Sequence, residues 1–401
     1  MTTETKKAEK RFRIAYLSVN DPLDKRSWSG TTYYVGQTVQ KNIGDVDFLG
    51  PVKFPWLLDR VLRGIAKLNR VVFNEEYYTK YSLLQSWYAS RWLKRRMKGE
   101  YDFILAPASS PVMGFFRTDL PVIHFHDATF NLLSNYYKEF EKASRFTRWE
   151  GEYLERRALR NSDLSVYTSV WAGESALKHY KIPADKVYVM PIAANMDVIP
   201  SKDMIYDKEK NTALTLLFLA VEWDRKGGAI AFETLRYLVD RLGINAKLIV
   251  CGCIPPASFE HPSMEVIPFL NKNIPADYQR FVELLSTSHF LILPTRADCS
   301  LLVACESNAY GMPAITTRTG GVPDVVLDGV NGYCLPLEAG GAEYGKLIAD
   351  LFADKQKYHE LVASSRKRFD DVLNWDKWAE KFRELCIGVL QRHRDDGRGR
   401  P

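Results

Sequence analysis

Two carboxylates, Asp298 and Glu306, stand eight residues apart in a segment whose pattern predicts a strand, a loop and a helix in that order. Asp298 then follows the strand, and Glu306 lies inside the helix at 301–310. The first backbone amides of such a helix have no acceptor within it. Carboxylates accept hydrogen bonds from sugar hydroxyls, whereas helix amides and the positive end of the helix dipole favour phosphate charge. The segment therefore indicates a site for a nucleotide sugar.

The elements that must position these residues belong to two series of apolar runs of strand length. The runs alternate with helical stretches, which predicts parallel sheets covered by helices on both faces. We expect an α/β protein with two doubly wound domains, in which ligands bind beyond the carboxyl ends of the strands. The runs are 13–19, 103–106, 122–125, 164–167 and 187–190, and then 214–220, 247–251, 264–267, 290–293 and 314–317.

The polar stretch 199–210 separates the two series and sets the predicted domain boundary. Residues 1–200 are predicted to form the first domain and residues 201–375 the second, with a ligand cleft between them. Apolar residues recur at helical spacing in 376–393, so this helix either packs on the second domain or crosses back to the first. The charged residues 394–401 are predicted to be disordered.

Composition limits the classes of function. A chain of 401 residues with 46% apolar and 26% charged residues is typical of a globular protein of two domains. Its net charge of +6 is small for this length and no basic aromatic repeat occurs, so we do not expect nucleic-acid binding. The six cysteines show no zinc-binding spacing, and we expect free thiols. Without an export signal or a run of membrane-spanning length, the sequence predicts a cytoplasmic protein.

A cationic, glycine-containing stretch at 224–228 follows the first strand of the second series. The guanidinium of Arg225 and the ammonium of Lys226, beside backbone amides, suit a diphosphate whose charge develops as it leaves. The alternative is a solvated turn before a helix.

Two residues of the first domain are also candidates. Gly30 lies in the loop after the first strand, where glycine either lets the backbone approach a phosphate or relieves a turn. His126 ends a strand, and His124 would share its face if that strand ran on regularly. Only a turn at 125–127 would present His126 alone to a ligand.

The segment 55–98 carries ten basic and three acidic residues with apolar residues interleaved. Such a segment either lies on an anionic membrane surface or forms a domain helix with a solvated face. In the first case the protein is peripheral to the membrane and its acceptor would be lipid-linked.

Taken together, these motifs resemble those of the family 4 GT-B glycosyltransferases, a retaining group. The resemblance implies transfer of a sugar from a nucleotide diphosphate donor to a hydroxyl of a glycan, a lipid-linked or a small-molecule acceptor. It also implies that no metal and no cofactor other than the donor is needed. The matches are 224–228, 298–306, 311–313, 320–323 and 328–332, which span nearly the whole second domain, and more loosely 29–31, 126–127, 169–172 and 187–191.

The resemblance also implies roles for individual residues. His126 would border the donor sugar, Asp298 would contact its hydroxyls, and Lys226 with Arg225 would hold the diphosphate, which makes these four the catalytic candidates. Glu306 would hold the ribose hydroxyls. The remaining donor-binding candidates are Gly30, Ser300, Leu301, Leu302, Phe269 and Leu270.

The chain departs from the family pattern at two positions. Asp298 stands where glutamate is usual, and Val221 stands where an arginine is common. Three rival functions remain open on the sequence: a solute-binding protein, which would normally carry an export signal; a non-catalytic subunit that binds the nucleotide sugar; and an epimerase or phosphorylase of the same fold.

Overall fold

In residues 11–395 and 397, the part of the chain that the structure describes, twelve strands form two parallel six-stranded sheets. The structure is a computed structural model. The chain groups into two units around these sheets. The first unit comprises the chain up to Tyr167, Ala172–Met190 and the residues from Ala379 on, and the second comprises Thr168–Trp171 and Pro191–Trp378. The sequence placed this division at residue 200.

The sheet of the first unit has the strand order β2-β1-β3-β4-β5-β6. β3 and β4 are buried along their whole length because helices cover both faces of the sheet. The strands are β1 Phe12–Leu17, β2 Gly44–Leu49, β3 Phe103–Pro107, β4 Val122–His126, β5 Leu164–Tyr167 and β6 Val187–Val189.

Seven helices connect these strands in the described part of the chain. They are α1 Thr31–Asn42, α2 Trp56–Leu68, α3 Leu83–Arg96, α4 Ser110–Met113, α5 Phe130–Tyr136, α6 Arg145–Asn161 and α7 Val170–Lys178. α7 begins in the residues that group with the second unit and continues in those of the first.

The sheet of the second unit has the order β12-β11-β10-β7-β8-β9. The order reverses between β7 and β10, which pair in parallel with Phe290 opposite Leu216. Such a reversal opens a crevice at the carboxyl ends of the two strands, where ligands of doubly wound sheets bind. The strands are β7 Leu214–Leu219, β8 Ala246–Cys251, β9 Met264–Ile267, β10 Phe290–Leu293, β11 Ala314–Thr317 and β12 Gly332–Leu335.

Six helices of the second unit are α8 Gly228–Arg236, α9 Pro275–Thr287, α10 Leu302–Ala309, α11 Val322–Val325, α12 Gly341–Ala353 and α13 Lys355–Asp371. β10 is fully buried at the centre of the sheet, and α8 and α10 begin in the loops after β7 and β10. Two helix N-termini therefore follow two neighbouring strands.

The prediction of two doubly wound α/β domains is confirmed. Two strands were not predicted, β2 and β12, and both lie at the edge of their sheet. Edge strands are half-exposed, so they lack the continuous apolar run of a central strand. β2 alternates exposed Asp45 with more buried residues, and β12 is short and begins with a glycine.

The last helix, α14 Trp375–Asp395, contributes to both units. Trp375 donates from Nε1 to Asn195 Oδ1 at 3.2 Å, within the second unit. Farther along, the Arg383 guanidinium donates to the carbonyl of Ile43 at 3.3 Å, and His393 contacts the carbonyl of Asp119 at 2.8 Å, both within the first unit.

The tail predicted to be disordered starts at 394, but α14 continues to Asp395. Apart from Gly397, the rest of that tail lies outside the described residues. Within the described ranges, no helix combines the length and the apolar character needed to cross a bilayer.

Candidate functional site

The loops after β7 and β10 hold one another through backbone contacts. The amide of Arg296 donates to the carbonyl of Arg225 at 2.8 Å. Gly227, with φ +76°, passes so close to the second loop that an added Cβ would lie 2.0 Å from the carbonyl oxygen of Pro294. Only glycine permits both this left-handed backbone and this approach. The contact places Lys226 next to the loop that carries Asp298.

Asp298 holds both its own loop and Lys226. Its Oδ1 accepts from the amides of Ser300 at 3.4 Å and Leu301 at 3.2 Å, and Lys226 Nζ donates to its Oδ2. Burial alone would raise the pKa of Asp298, but the Lys226 ammonium and, less strongly, Arg225 hold that pKa below its usual value. The carboxylate is therefore ionised and fully engaged within the protein.

The short side chain of Asp298 fits this geometry. An aspartate side chain is short enough to accept hydrogen bonds from amides two and three residues later, as in Asx turns and helix N-caps. The amides of Ser300 and Leu301, predicted to face a ligand, donate to Asp298 instead. Leu301 itself is held in the left-handed region at φ +39°, a costly conformation for a residue with a side chain. Leu302 opens α10 with one of the amides that have no acceptor within the helix.

Glu306 lies on α10 with only 1% of its side chain exposed. Burial raises the pKa of this carboxyl, and the ammonium of Lys272 offsets part of that rise. Lys272 Nζ donates to Glu306 Oε1 at 2.6 Å and lies 4.1 Å from the centroid of the Phe281 ring. An ionised carboxylate so deeply buried requires such a partner.

Lys272 is a site residue that the sequence analysis did not assign. It belongs to the segment after β9 that also carries Phe269 and Leu270, the candidates for contact with the nucleotide. Phe269 is 57% exposed and Leu270 is half-buried. The ion pair joins residues 34 positions apart. Its only signal in the sequence was its position two residues after Leu270.

Arg225 has a partner that the sequence did not indicate. Its guanidinium donates to both carboxylate oxygens of Glu222, at 3.0 Å and 2.5 Å, and to the carbonyl of Ala297 at 2.9 Å. These bonds fix the arginine to the loop after β10. Val221, at the position where the resemblance leads us to expect arginine, is 60% exposed.

The glycine pair 320–321 supports the Asp298 loop. The amide of Gly321 donates to the carbonyl of Asp298 at 3.2 Å, and an added Cβ on Gly321 would lie 1.9 Å from the carbonyl oxygen of Cys299. This close backbone approach is enough to explain why residue 321 is a glycine, with no contact to a ligand needed.

In the first unit, the loop after β1 is strained and tied to the end of β4. Trp28, Ser29 and Gly30 are all in the left-handed region, with φ of 50°, 54° and 88°. Trp28 Nε1 donates to Asp127 Oδ2 at 2.9 Å. Gly30 directly precedes α1, so the strained segment leads straight into the N-terminus of that helix. Strain of this kind is concentrated at functional sites, where the surrounding structure maintains it.

β4 runs through His126, so the turn that would present His126 alone does not occur. His124 and His126 share one face of the sheet, with His124 Nδ1 3.0 Å from His126 Nε2. Burial lowers the pKa of His126 to about 4 and that of His124 well below its usual value. Both imidazoles are therefore neutral near pH 7.

The structure thus divides the predicted residues among separate groups. Lys226, Arg225, Asp298, Ser300 and Leu301 form one group, and Glu306 forms a second with Lys272. His126 and Gly30 belong to the first unit. Across residues 11–395 and 397, no cluster of three or more histidine, cysteine, aspartate or glutamate side chains is arranged to hold a metal ion.

Comparison with solved structures identifies the fold. Sucrose-phosphate synthase from Thermosynechococcus elongatus aligns with a TM-score of 0.65 over 95% of this chain and 100% of that chain, at 16% sequence identity. Anabaena HepE in complex with UDP-glucose aligns with a TM-score of 0.60 over 96% of this chain and 99% of that chain, at 13% identity. The chain has the GT-B fold of glycosyltransferases.

Sequence comparison finds a match to a family model, and this match lies in the second unit. Residues 205–368 match the family model described as glycosyl transferases group 1. A D-inositol 3-phosphate glycosyltransferase from Streptomyces scabiei is 23% identical over 257 residues, or 60% of this chain. The matched region spans 57% of that relative's length.

We predict that Gly227→Ala destabilises the second unit more than Gly243→Ala does. Both glycines have positive φ, at 76° and 66°, but nothing lies within 4 Å of a Cβ added at Gly243. Gly243→Ala should therefore lower the free energy of unfolding by about 1 kcal/mol, the cost of the backbone conformation alone. Gly227→Ala has the same backbone cost and, in addition, places its Cβ against the carbonyl oxygen of Pro294. Urea unfolding midpoints measure the difference, and equal midpoints would contradict the close approach.

We predict that Lys272→Met lowers stability at neutral pH by about 3 kcal/mol, because it leaves Glu306 buried without a counter-charge. The pKa of Glu306 should then rise further, so the variant should regain stability as the pH falls and Glu306 takes up a proton. The double variant Lys272→Met/Glu306→Gln should recover most of the loss. A double-mutant cycle by urea unfolding tests this, and additive losses would show that the two side chains are not coupled.

We predict that the two buried histidines make the first unit less stable in acid. The unfolded chain binds more protons than the folded chain between pH 6.5 and about 4, so stability falls as the pH drops through that window. The shift at His126 corresponds to roughly 3 kcal/mol. Burial raises the pKa of Glu155 to about 7, so this carboxyl stabilises the folded state as the pH falls and opposes the effect of the histidines. The contribution of the histidines is therefore measured as the difference between variants that all keep Glu155.

The double variant His124→Gln/His126→Gln should show a shallower fall of unfolding free energy over this window than the wild type. His359→Gln, at an exposed histidine of α13, serves as the control and should keep the wild-type slope. Urea unfolding at a series of pH values gives the slopes. An unchanged slope in the double variant would mean that the two imidazoles are not held neutral by burial.

Proposed function

We propose that the protein is a retaining glycosyltransferase that uses a nucleotide diphosphate sugar and needs no divalent metal. The observation that carries the proposal is the pair of buried carboxylates in the loop and helix that follow β10, each held by a lysine from a loop after another strand of the same sheet. The group 1 family match over 205–368 supports it, as does the likeness in fold to HepE, which was solved with UDP-glucose.

The proposed chemistry takes place at the anomeric carbon of the donor sugar. The bond from that carbon to the diphosphate oxygen breaks, and a bond to the acceptor oxygen forms on the same face. The acceptor hydroxyl gives its proton to the departing phosphate. Lys226 and the first amides of α10 stabilise the charge that develops on the phosphate, because charge-assisted donors act where the charge appears.

Within this proposal Asp298 is a positioning residue as well as a candidate sugar ligand. Its two oxygens already hold Lys226 and the amides of Ser300 and Leu301, so it fixes the ammonium beside the N-terminus of α10. A donor diphosphate then meets a lysine whose position is set before binding, which reduces the ordering cost of the reaction. Arg225, clamped by Glu222, adds positive potential to the same loop.

Glu306 is proposed to bind the ribose hydroxyls and Lys272 to keep it ionised. A buried carboxyl that took up a proton would offer a weaker acceptor, since ionised acceptors form the stronger hydrogen bonds. The exposed Phe269 and the neighbouring Leu270 are proposed to contact the nucleotide. For the first unit, we propose that the loop at Gly30 contacts substrate and that neutral His126 does so from the carboxyl end of β4, where it shares a face with His124.

A panel of nucleotide sugars, beginning with UDP-glucose, tests donor binding through the shift in melting temperature, because a ligand that binds only the folded state stabilises it. The donor that binds is then incubated with the protein in the presence of EDTA, and products are identified. Hydrolysis or transfer with retained configuration supports the proposal. Binding without turnover would assign a non-catalytic subunit, and an epimerised donor or phosphorolysis would assign the rival enzymes.

We predict that Glu306→Gln weakens binding of the selected donor roughly tenfold to a hundredfold, because it replaces a charged acceptor of two hydrogen bonds by a neutral amide. Glu338→Gln, at an exposed carboxylate of the same unit, should leave the affinity unchanged. Titration calorimetry measures both, and circular dichroism verifies the fold. Wild-type affinity in Glu306→Gln would remove this residue from the donor site.

A further inference from the structure

The first unit exposes a continuous set of large apolar side chains on α2 and on the π-helical turn 69–73 that follows it. Between 46% and 73% of each residue is exposed, and groups of large exposed apolar side chains are typical of interaction surfaces. We call these residues the apolar patch: Trp56, Leu57, Val61, Leu68, Val71, Val72 and Phe73.

The apolar face of α2 is wide, and the protein covers only part of it. Leu62 is 3% exposed and Ile65 is half-buried on the covered side. Positions 57, 61 and 68 fall within an arc of about 40°, turned roughly 90° from the midpoint of positions 62 and 65, given 100° per residue. A surface helix of a globular protein normally carries a single apolar stripe facing the core. The uncovered part of this face therefore requires a partner other than the first unit.

A band of cations runs beside the apolar patch. Arg60, Arg63 and Lys67 lie within an arc of about 60° next to positions 57, 61 and 68. Arg63 pairs with Asp59 at 2.5 Å. Arg60, Lys67 and Arg70 make no salt bridge in the described part of the chain, and all three are exposed. Their charge is available to an anionic partner.

We propose that the apolar patch and its basic band bind the surface of an anionic lipid bilayer, with α2 lying in the plane of the interface. An in-plane helix buries one apolar side roughly 5–10 Å into the headgroup boundary and presents cations to anionic lipids. Trp56, 71% exposed at the start of α2, is of the residue type that prefers this interface. Val71, Val72 and Phe73 extend the inserted surface beyond the helix.

Charge argues against a second copy of this chain as the occupant. In a two-fold dimer the same surface faces itself, so the Arg60, Lys67 and Arg70 bands of the two copies would meet like charges. A bilayer containing acidic phospholipids supplies both the apolar layer and the counter-charge.

A cavity beside α2 adds to the same surface. It measures about 370 Å³ and is lined in part by Arg70, Lys80 and Glu76. Two cations against one carboxylate suit the phosphate of a lipid headgroup. Arg70 belongs both to this cavity and to the basic band, so headgroup binding and insertion of the apolar patch would act together.

The test is co-sedimentation with vesicles of phosphatidylcholine alone and of phosphatidylcholine mixed with phosphatidylglycerol. The wild type should bind the anionic vesicles, bind them less as salt increases, and bind neutral vesicles much less. Arg60→Glu/Lys67→Glu/Arg70→Glu should lower the partition coefficient by roughly a hundredfold or more, because each cation near an anionic surface contributes to binding. Val71→Ser/Val72→Ser/Phe73→Ser should also bind more weakly.

A matched control carries the same charge change elsewhere. Lys202→Glu/Lys346→Glu/Lys357→Glu alters three exposed lysines of the second unit and should bind like the wild type. Equal loss in this control would mean that net charge alone drives binding, and would overturn the proposal. So would wild-type binding by the Arg60/Lys67/Arg70 variant, no binding by the wild type, or a stable dimer that the serine variant abolishes. The assay contains no nucleotide sugar, so its outcome is independent of the proposed enzymatic function.

Discussion

The parallel pairing of β7 with β10 is the constraint on which the candidate site depends. The two strands are far apart in the chain, yet their carboxyl ends lie side by side where the strand order of the sheet reverses. The loops after them must then share one small space. Gly227 permits the approach, and the bond from Lys226 to Asp298 joins residues 72 positions apart. α8 and α10 begin in these loops, so both helix N-termini follow from the same pairing.

Charge compensation is the second organising feature of the site. Asp298 and Glu306 are buried, and each is stabilised by a lysine, while Glu222 holds Arg225. Lys226, Lys272 and Arg225 thus each have an anionic neighbour in this structure. A ligand with two phosphates and several hydroxyls would enter a site whose charges are already positioned, and it would take over contacts that the protein now makes with itself. If the proposed function holds, this arrangement would favour a ligand that offers both phosphate and hydroxyl groups.

The two units carry different kinds of surface. The second contains the charged groups that suit a nucleotide sugar, whereas the first contains a strained loop at Trp28–Gly30 and the exposed apolar patch of α2. If the apolar patch binds a bilayer and the second unit binds a nucleotide sugar, an acceptor hydroxyl that belongs to a lipid would be consistent with both. The membrane surface and the sugar chemistry would then serve one reaction.

The sequence by itself determined the fold class, because apolar runs of strand length alternate with helical segments, and it determined which side chains stand at the ends of central strands. Local patterns of this kind depend only on neighbours in the chain. The tertiary structure alone decided the contacts made across long separations. It added the edge strands β2 and β12, kept His124 and His126 on one face by continuing β4, and paired Lys272 with Glu306. It also turned Asp298 towards its own loop, since a short carboxylate bonds the nearest amides and the nearest ammonium, and those neighbours are set by how the sheet is ordered.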